Sequence, residues 1–246
     1  LGVDHPAWGG MTVSPSSSQI RPSRFLLYEF AVVAGVVALF TYLLLPRVAG
    51  PRSVPKSVLC TQNLKQIGLA FHNYHSDQKC FPPAMMADER GNPAHSWRAW
   101  LLPYAEAPQV LAQYDFSEPW NGIHNRRLAA DTPTMYSCPT DDDRAATDYV
   151  LIVGETSAFR TPAQPATLSE IKDGISNTLL VIEAHSTKIP WIEPRDLDES
   201  ALQLRINTPG AIGGHPRGAN SLMADGSTRF LDGSIDPKLL RALVSA

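Results

Sequence analysis

Residues 57–75, with the sequence SVLCTQNLKQIGLAFHNYH, decide the fold of this chain. Their apolar side chains recur at alternating intervals of four and three residues, which is the spacing of one face of an α-helix. A helix with one apolar face needs an apolar surface to cover it, and we expect this helix to lie on one face of a β-sheet. The predicted buried stripe consists of Cys60, Leu64, Ile67, Phe71 and Tyr74.

Strand signals are concentrated in the C-terminal half of the sequence. Residues 147–154 (TDYVLIVG) and 178–184 (TLLVIEA) are rich in β-branched and other apolar residues and are bounded by turn formers. Residues 220–232 (NSLMADGSTRFLD) contain two β-type arms joined at Asp225-Gly226, which predicts a hairpin with a type I′ turn. Together with scattered short helices, this order predicts an α+β fold with a mainly antiparallel sheet.

Capping residues mark the short helices. Ser96 is placed to cap a helix that runs to about Leu102, and Pro108 suits the first turn of the next one. Residues 167–170 match a capping box, which predicts a short helix to about residue 173. Asp236 precedes a final helix with the sequence PKLLRALVS.

An apolar stretch, FLLYEFAVVAGVVALFTYLLL, occupies residues 25–45 and contains a single charged residue, Glu29. At about 1.5 Å of rise per residue, its length is close to the ~30 Å thickness of a bilayer's hydrocarbon core. A cleavable signal has a shorter apolar core followed by a small-residue cleavage site, and a buried helix is usually shorter and less uniformly apolar. We therefore predict a transmembrane helix that anchors the chain in a lipid bilayer through residues 25–45.

The segments on either side of this stretch complete the predicted domain organisation. Residues 1–24 mix Gly, Pro, Ser and Trp without periodicity, which predicts a disordered leader or a cytoplasmic tail, with Met11 as an alternative start. Residues 46–57 form a Pro-rich linker, because a helix does not readily continue through Pro51 and Pro55. Residues 58–246 are long enough for one extracytoplasmic α+β domain with its own core.

Composition and spacing exclude several kinds of site. The 246 residues carry a net charge of −3 and lack the basic excess of a nucleic-acid-binding protein. The three cysteines form no CxxC pair and no Cys/His cluster with zinc spacing. His72 and His75 lie one helical turn apart without a third ligand, and residues 141–143 lack the oxygen pattern of a calcium loop. We therefore expect no metal and no cofactor.

The sequence also lacks the common catalytic motifs. It contains no HExxH, GxSxG, GxGxxG after a strand, or phosphate-binding loop that ends in GK[ST]. Its richest polar segment is residues 214–220, in which His215 is a candidate to orient against Asp225 across the predicted hairpin. The alternative is that these residues fix turns, since Asn and Gly adopt the backbone angles that turns need. With no nucleophile or metal site beside them, we predict that the protein is not an enzyme.

Several segments, taken in order, resemble a large bacterial family of prepilin-like proteins with a C-terminal domain of unknown function, also filed as solute-binding proteins. Residues 25–29 resemble the start of a prepilin, and residues 60–75 followed by residues 81–83 resemble the family signature. The last motif is a histidine followed after nine residues by Asp-Gly. The motif residues to which the resemblance assigns no role are Asn63, Leu64, His72, Tyr74, Pro82, Pro83, Asp173, Gly174, Asn177, His215, Asp225 and Gly226.

The resemblance runs from about residue 25 to the end and implies a pilin-like fold, in which an N-terminal helix begins in the membrane and packs against an antiparallel sheet. It implies that Phe25 begins the processed chain of such proteins and that Glu29 pairs with the N-terminus of a neighbouring subunit. Arg24 stands where their peptidase needs a glycine, so we expect an uncleaved anchor. The resemblance also implies a disulfide between Cys60 and Cys138, because disulfides persist outside the cytoplasm.

These observations lead to three hypotheses about function. The first is a pseudopilin-like single-pass protein of the cytoplasmic membrane, similar to type IV pilus and type II secretion subunits, with a structural, assembly or surface-interaction role. Its partners would be the bilayer and other pilin-like subunits, and its domain would lie in the periplasm or at the cell surface. The second is a membrane-tethered module that binds a solute, a peptide or a polysaccharide. The third, an enzyme that uses His215 and Asp225, is disfavoured by the missing nucleophile.

Overall fold

The computed structural model describes residues 24–44, 56–139, 141, 145–160, 164–185, 187–200, 205–207 and 212–246. The chain divides into two compact units, residues 1–53 and residues 54–246. The predicted leader, apart from Arg24, lies outside the described residues. The predicted Pro-rich linker also lies outside them, apart from residues 56 and 57, which are already helical.

The described part of the first unit is the helix α1 (Arg24–Leu44), over the stretch predicted to be helical. Its side chains from residue 27 to residue 43 are exposed in this chain, and they include large apolar ones such as Phe30 and Phe40. Glu29 lies on this exposed surface. Among the described residues, no helix is both long enough and apolar enough to cross a membrane.

The second unit is built from helices and short strands. Its helices are α2 (Lys56–Gln78), α3 (Trp97–Trp100), α4 (Pro108–Leu111) and α5 (Pro237–Val244). Short 3-10 helices cover Leu102–Tyr104, Asn125–Ala130, Thr134–Tyr136 and Leu168–Glu170. The strands are β1 (Met85–Ala87), β2 (Pro93–Ser96), β3 (Tyr149–Val150), β4 (Ile152–Val153), β5 (Leu179–Glu183), β6 (Leu197–Asp198), β7 (Gly218–Met223) and β8 (Thr228–Asp232).

The main sheet has four strands in the order β3-β5-β7-β8, and every neighbouring pair in it is antiparallel. β1 and β2 form a separate antiparallel pair, whereas β4 and β6 pair in parallel. The prediction of an α+β fold with mainly antiparallel sheets is therefore confirmed. The parallel β4–β6 pair was not predicted, because β6 lies in a stretch of residues without strand periodicity.

Helix α2 lies against β7, as the apolar stripe predicts. All five predicted stripe residues are buried, and the first four of them are completely inaccessible to solvent. A Cβ atom added at Gly68 would lie 2.8 Å from Cδ1 of Leu222 in β7. The glycine thus lets the helix approach the strand closely, since a larger residue would have to displace a buried side chain.

The sheet separates two apolar cores, because successive side chains of a strand point to opposite faces. On β7, Leu222 belongs to the core beneath α2, and its neighbour Met223 belongs to the core that includes α5. The first core is rich in aromatic residues, among them Phe71, Trp97 and Trp191. Both faces of the sheet are therefore covered, so a polar group at its strand ends is buried unless it lies at an edge.

The β7–β8 hairpin lies where Asp225-Gly226 predicts it, but its turn is of another type. The N–H of Gly226 donates to the carbonyl of Met223 at 3.0 Å, and the N–H of Met223 donates to the carbonyl of Ser227 at 2.8 Å. Gly226 has a φ of +82°, whereas Asp225 is not left-handed. This is a type I turn followed by a left-handed glycine, so the type I′ prediction was wrong.

The capping predictions identify helix starts better than helix ends. Ser96 Oγ accepts a hydrogen bond from the N–H of Arg98 at the start of α3, and Asp236 accepts one from the N–H of Lys238 at the start of α5. In the capping box at Thr167, the Glu170 carboxylate accepts a hydrogen bond of 2.9 Å from the Thr167 N–H. The helix that follows that box ends at Glu170, and α3 ends at Trp100, so both are shorter than predicted.

Candidate functional site

A buried carboxylate, Glu183, stands at the end of β5 and has no exposure to solvent. Its Oε2 accepts a hydrogen bond of 2.6 Å from the N–H of Asn220, and its Oε1 accepts one of 3.1 Å from the Asn220 side-chain amide. The Nε2 atom of His215 lies 3.3 Å from Oε1 and 3.3 Å from Oε2. The polar segment singled out in the sequence therefore surrounds this one carboxylate.

A tight turn brings that segment over Glu183. His215 and Gly218 exchange two backbone hydrogen bonds, of 3.0 and 3.1 Å. A Cβ atom on Gly214 would lie 2.9 Å from Glu183 Oε2 and 2.8 Å from His185 Nε2. A Cβ atom on Gly218 would lie 2.0 Å from the carbonyl oxygen of Leu231 in β8. Two glycines thus allow the backbone to pass directly over the carboxylate and against the neighbouring strand.

The structure joins Cys60 and Cys138 by a disulfide, with their Cα atoms 5.3 Å apart. The bond links α2 to the segment that precedes β3, and the third cysteine, Cys80, is free. The sulfur atoms lie within 4.8 Å of the donor atoms of Glu183 and His215. Because both sulfurs are bonded to each other, they are not available as thiolate ligands in this state.

A second set of polar side chains lies beside the first. The ligand atoms of Asp141, Asp148 and His185 all lie within 4.8 Å of one another. Asp148 is buried, and its Oδ2 accepts a hydrogen bond from the N–H of Cys138. The rings of His185 and His215 pack edge to face, with centroids 5.9 Å apart. We call the five residues Asp141, Asp148, Glu183, His185 and His215 the acid–histidine cluster.

Burial dominates the electrostatics of this cluster. It raises the pKa of Asp148 to about 8, and the negative charges of Asp141 and Glu183 act in the same direction, while the N–H of Cys138 opposes them. Burial lowers the pKa of His185, against the opposing effect of the neighbouring carboxylates. Burial also raises the pKa of Tyr149, and Glu183 adds to this effect. Near neutral pH, Asp148 is therefore largely protonated and His185 is neutral.

The structure gives Asn63 a clear role. Its side-chain amide donates to the carbonyls of Thr134 at 3.1 Å and Ser137 at 2.9 Å, and lies 3.3 Å from the Tyr149 hydroxyl. That hydroxyl also donates to the carbonyl of Cys60 at 3.2 Å. Asn63 thus ties the segment before Cys138 to α2, next to the disulfide. Its role beside the acid–histidine cluster is therefore structural.

The other motif residues lie in the core or in turns. Leu64, Tyr74, Pro82 and Pro83 are buried, and the ring of His72 packs on Phe81. Gly174 has a φ of +93° and its carbonyl accepts from the N–H of Asn177 at 2.8 Å, which closes a turn after Asp173. The hairpin tip docks onto this turn, because the N–H of Asp225 donates to the carbonyl of Ile175 at 3.0 Å.

The proposed apposition of His215 and Asp225 is not formed. His215 precedes β7 and Asp225 follows it, so the six residues of the strand separate them by roughly 20 Å. His215 contacts Glu183 instead, and Asp225 accepts a hydrogen bond from the N–H of Ser227 at 2.8 Å. The two residues belong to opposite ends of the sheet.

Sequence reasoning missed two of the three acidic residues of the cluster. Asp148 and Glu183 are the charged residues of two otherwise apolar β-runs, residues 147–154 and 178–184. A carboxylate in such a run is costly to bury unless it has partners, so each was a signal for a polar site at a strand end. The pairing of Tyr149 with Glu183 in neighbouring strands then brings the two runs together.

The fold defines a domain in which an amphipathic helix covers an antiparallel sheet, with a disulfide and a buried polar cluster at one end of β3 and β5. Residues 57–166 match the family model SBP_bac_10, described as a protein of unknown function (DUF1559). The predicted resemblance to that family of unknown function is therefore confirmed over this part of the chain. No curated protein and no solved structure matches the chain significantly.

Proposed function

We propose that this chain is a pilin-like subunit, anchored in the cytoplasmic membrane, whose extracytoplasmic domain serves assembly or surface interaction. The observation that carries the proposal is the exposed apolar surface of α1, which extends over residues 27–43. Contiguous apolar surface of this kind marks a site that another molecule or a bilayer covers. A helix of 21 residues is about 31 Å long, which suits a bundle of such helices.

Within this proposal, Glu29 is the pairing group of the anchor. A carboxylate among apolar side chains is expensive in a membrane unless it has a partner, and a neighbouring subunit would supply one. The disulfide in the second unit supports an extracytoplasmic position for the domain, since such bonds persist in oxidising compartments. Arg24 directly before Phe25 supports an anchor that is retained rather than processed.

We expect the full chain to remain in carbonate-washed membranes and a variant without residues 25–45 to appear in the soluble fraction. Copies of the chain in the membrane are crosslinked with a reagent that does not react with cysteine. The yield of crosslinked copies should fall several-fold in Glu29→Gln, because the pairing carboxylate is lost. Glu89→Gln, in an exposed position of the second unit, is the matched control and should leave crosslinking unchanged. Recovery of the full chain in the soluble fraction would contradict the anchor, and unchanged crosslinking in Glu29→Gln would contradict the assembly role.

A groove beside α2 favours a second candidate function, the tethered binding module. It has a volume of ≈ 500 Å³, within the range of small-molecule sites. Polar side chains of Gln62, Gln66 and Glu106 line it together with apolar residues. Amides and a carboxylate beside apolar surface suit the hydroxyl groups and faces of a sugar, or the backbone of a peptide.

The binding module is tested by thermal shift of the purified full chain with a panel of oligosaccharides and peptides. A ligand present at 100 times its Kd should stabilise the folded domain by about 2.7 kcal/mol and so raise its Tm by a few degrees. Gln66→Ala should abolish this shift, whereas Gln78→Ala, on the exposed end of the same helix, should retain it. If no compound of the panel raises the Tm, or if both variants show the same rise, the groove is not the binding site.

A further inference from the structure

We propose that Asp141, Asp148 and His185 bind a divalent transition-metal ion, with zinc as the representative. This site goes beyond the proposed anchoring and assembly role and does not depend on it. The ligand types are those that zinc takes in proteins, namely carboxylate oxygen and imidazole nitrogen. Three protein ligands leave a fourth position of a tetrahedral ion for water or for an external ligand.

The spacing of the Asp148 and His185 donor atoms fits one ion, and the Asp141 donor atom lies close to both. Zinc binds carboxylate oxygen and imidazole nitrogen at about 2.0–2.2 Å, so two donors of one ion lie at most ~4.2 Å apart. Asp148 Oδ1 and His185 Nε2 are 3.8 Å apart, and all three donor atoms lie within 4.8 Å of one another. The first distance is too long for a hydrogen bond and is suitable for a shared ion.

An unpartnered atom points to a ligand at this place. His185 Nε2 is buried and has no hydrogen-bond partner among the described residues, although it faces Asp148. Buried polar atoms are normally paired, and the adjacent carboxylates of Asp141 and Asp148 repel each other when both are ionised. A bound cation removes both costs, because it accepts the nitrogen lone pair and neutralises the carboxylates.

Rigid elements hold two of the ligands. Asp148 directly precedes β3 and His185 closely follows β5, and the N–H of Ala184 donates to the carbonyl of Asp148 at 2.9 Å. The N–H of Asp141 donates to the carbonyl of Cys138 at 3.0 Å, so the third ligand is fixed to the disulfide-bonded residue. Ligands on a sheet and beside a crosslink keep their geometry better than ligands on free loops.

Glu183 and His215 lie next to the proposed metal ligands. The His215 ring packs on the His185 ring, and Glu183 in turn contacts the His215 imidazole. Packing of one ring on the other restricts the orientation of the His185 imidazole. Glu183 and His215 are therefore positioning residues for His185 rather than ligands of the same ion.

The test is zinc binding to the untagged full chain in detergent, without reductant and with Cys80 alkylated. We expect one zinc per chain by elemental analysis after dialysis, and a rise in Tm with zinc that EDTA reverses. His185→Gln and Asp141→Asn should each weaken binding more than tenfold, while His124→Gln, which changes an exposed histidine, should leave it unchanged. Asp141→Asn keeps the proposal testable if His185→Gln does not fold.

Two outcomes would overturn the proposal. The first is zinc affinity within twofold of the wild type in both His185→Gln and Asp141→Asn, with intact folding. The second is zinc binding that appears only after the disulfide is reduced. In that case the ligands are the thiolates of Cys60 and Cys138 with Glu183 and His215, whose donor atoms also lie within 4.8 Å of one another.

Discussion

Replacing both Cys60 and Cys138 by alanine should lower the free energy of unfolding of the domain by about 4.5 kcal/mol. The bond spans a sequence separation of 78 residues, and a crosslink of that span removes much of the conformational entropy of the unfolded chain. Chemical denaturation of the full chain in detergent measures the loss. The free energy of unfolding of the wild-type protein should fall by the same amount when it is treated with a reductant.

Cys80→Ala is the matched control for the disulfide prediction. Cys80 is half-buried and unbonded, so its replacement should cost no more than about 1 kcal/mol. If the double variant and the reduced wild type unfold at the midpoint of the oxidised protein, the bond does not stabilise the domain. Free thiols on both residues in unreduced peptides, detected by mass spectrometry, would show that the bond does not form.

Arg98→Met should destabilise the domain by about 3–5 kcal/mol, because it leaves the Asp196 carboxylate buried without its charge partner. The Arg98 Nη2 atom lies 2.7 Å from Asp196 Oδ1, and their side chains are 0% and 2% exposed. Arg98 also donates to the carbonyl of Tyr149 through Nε and Nη2. The pair therefore joins α3, the start of β3 and the segment that precedes β6.

The control for the ion pair is Arg195, the residue that precedes Asp196 in the chain. Arg195 pairs with Glu193 at the surface and its side chain is 53% exposed, so Arg195→Gln should change stability by less than about 0.5 kcal/mol. Replacing both buried partners, as in Arg98→Met with Asp196→Leu, should recover part of the loss of Arg98→Met alone. Equal effects of Arg98→Met and Arg195→Gln would show that burial does not make the inner pair important.

Local periodicity accounts for what the sequence predicted correctly. The stripe on α2 and the apolar runs of β3 and β5 depend on neighbours within a few residues, and each appears where it was expected. The position of the β7–β8 turn is likewise local. Its type was missed because the choice depends on the backbone angle of Asp225, which the strand register fixes.

The candidate site depends on contacts between distant residues, and no local pattern encodes them. Glu183 lies 35 residues from Asp148 in sequence, and the pairing of β3 with β5 brings them together. Arg98 meets Asp196 across 98 residues. The resemblance to a family supplied Cys60 with Cys138, because it joins motifs across the whole chain. It supplied no role for His215, whose partner Glu183 belongs to none of its motifs.

Helix α2 also acts as a spacer that selects the cysteine partner. Cys80, the other candidate for Cys60, is closer to Cys60 in the chain than Cys138 is. Once α2 has formed, the helical rise over the 18 residues from Cys60 to Gln78 holds these two residues about 27 Å apart. Two cysteines whose Cα atoms are more than about 7 Å apart do not bridge. A domain that forms this helix before it is oxidised is thereby protected from the wrong crosslink.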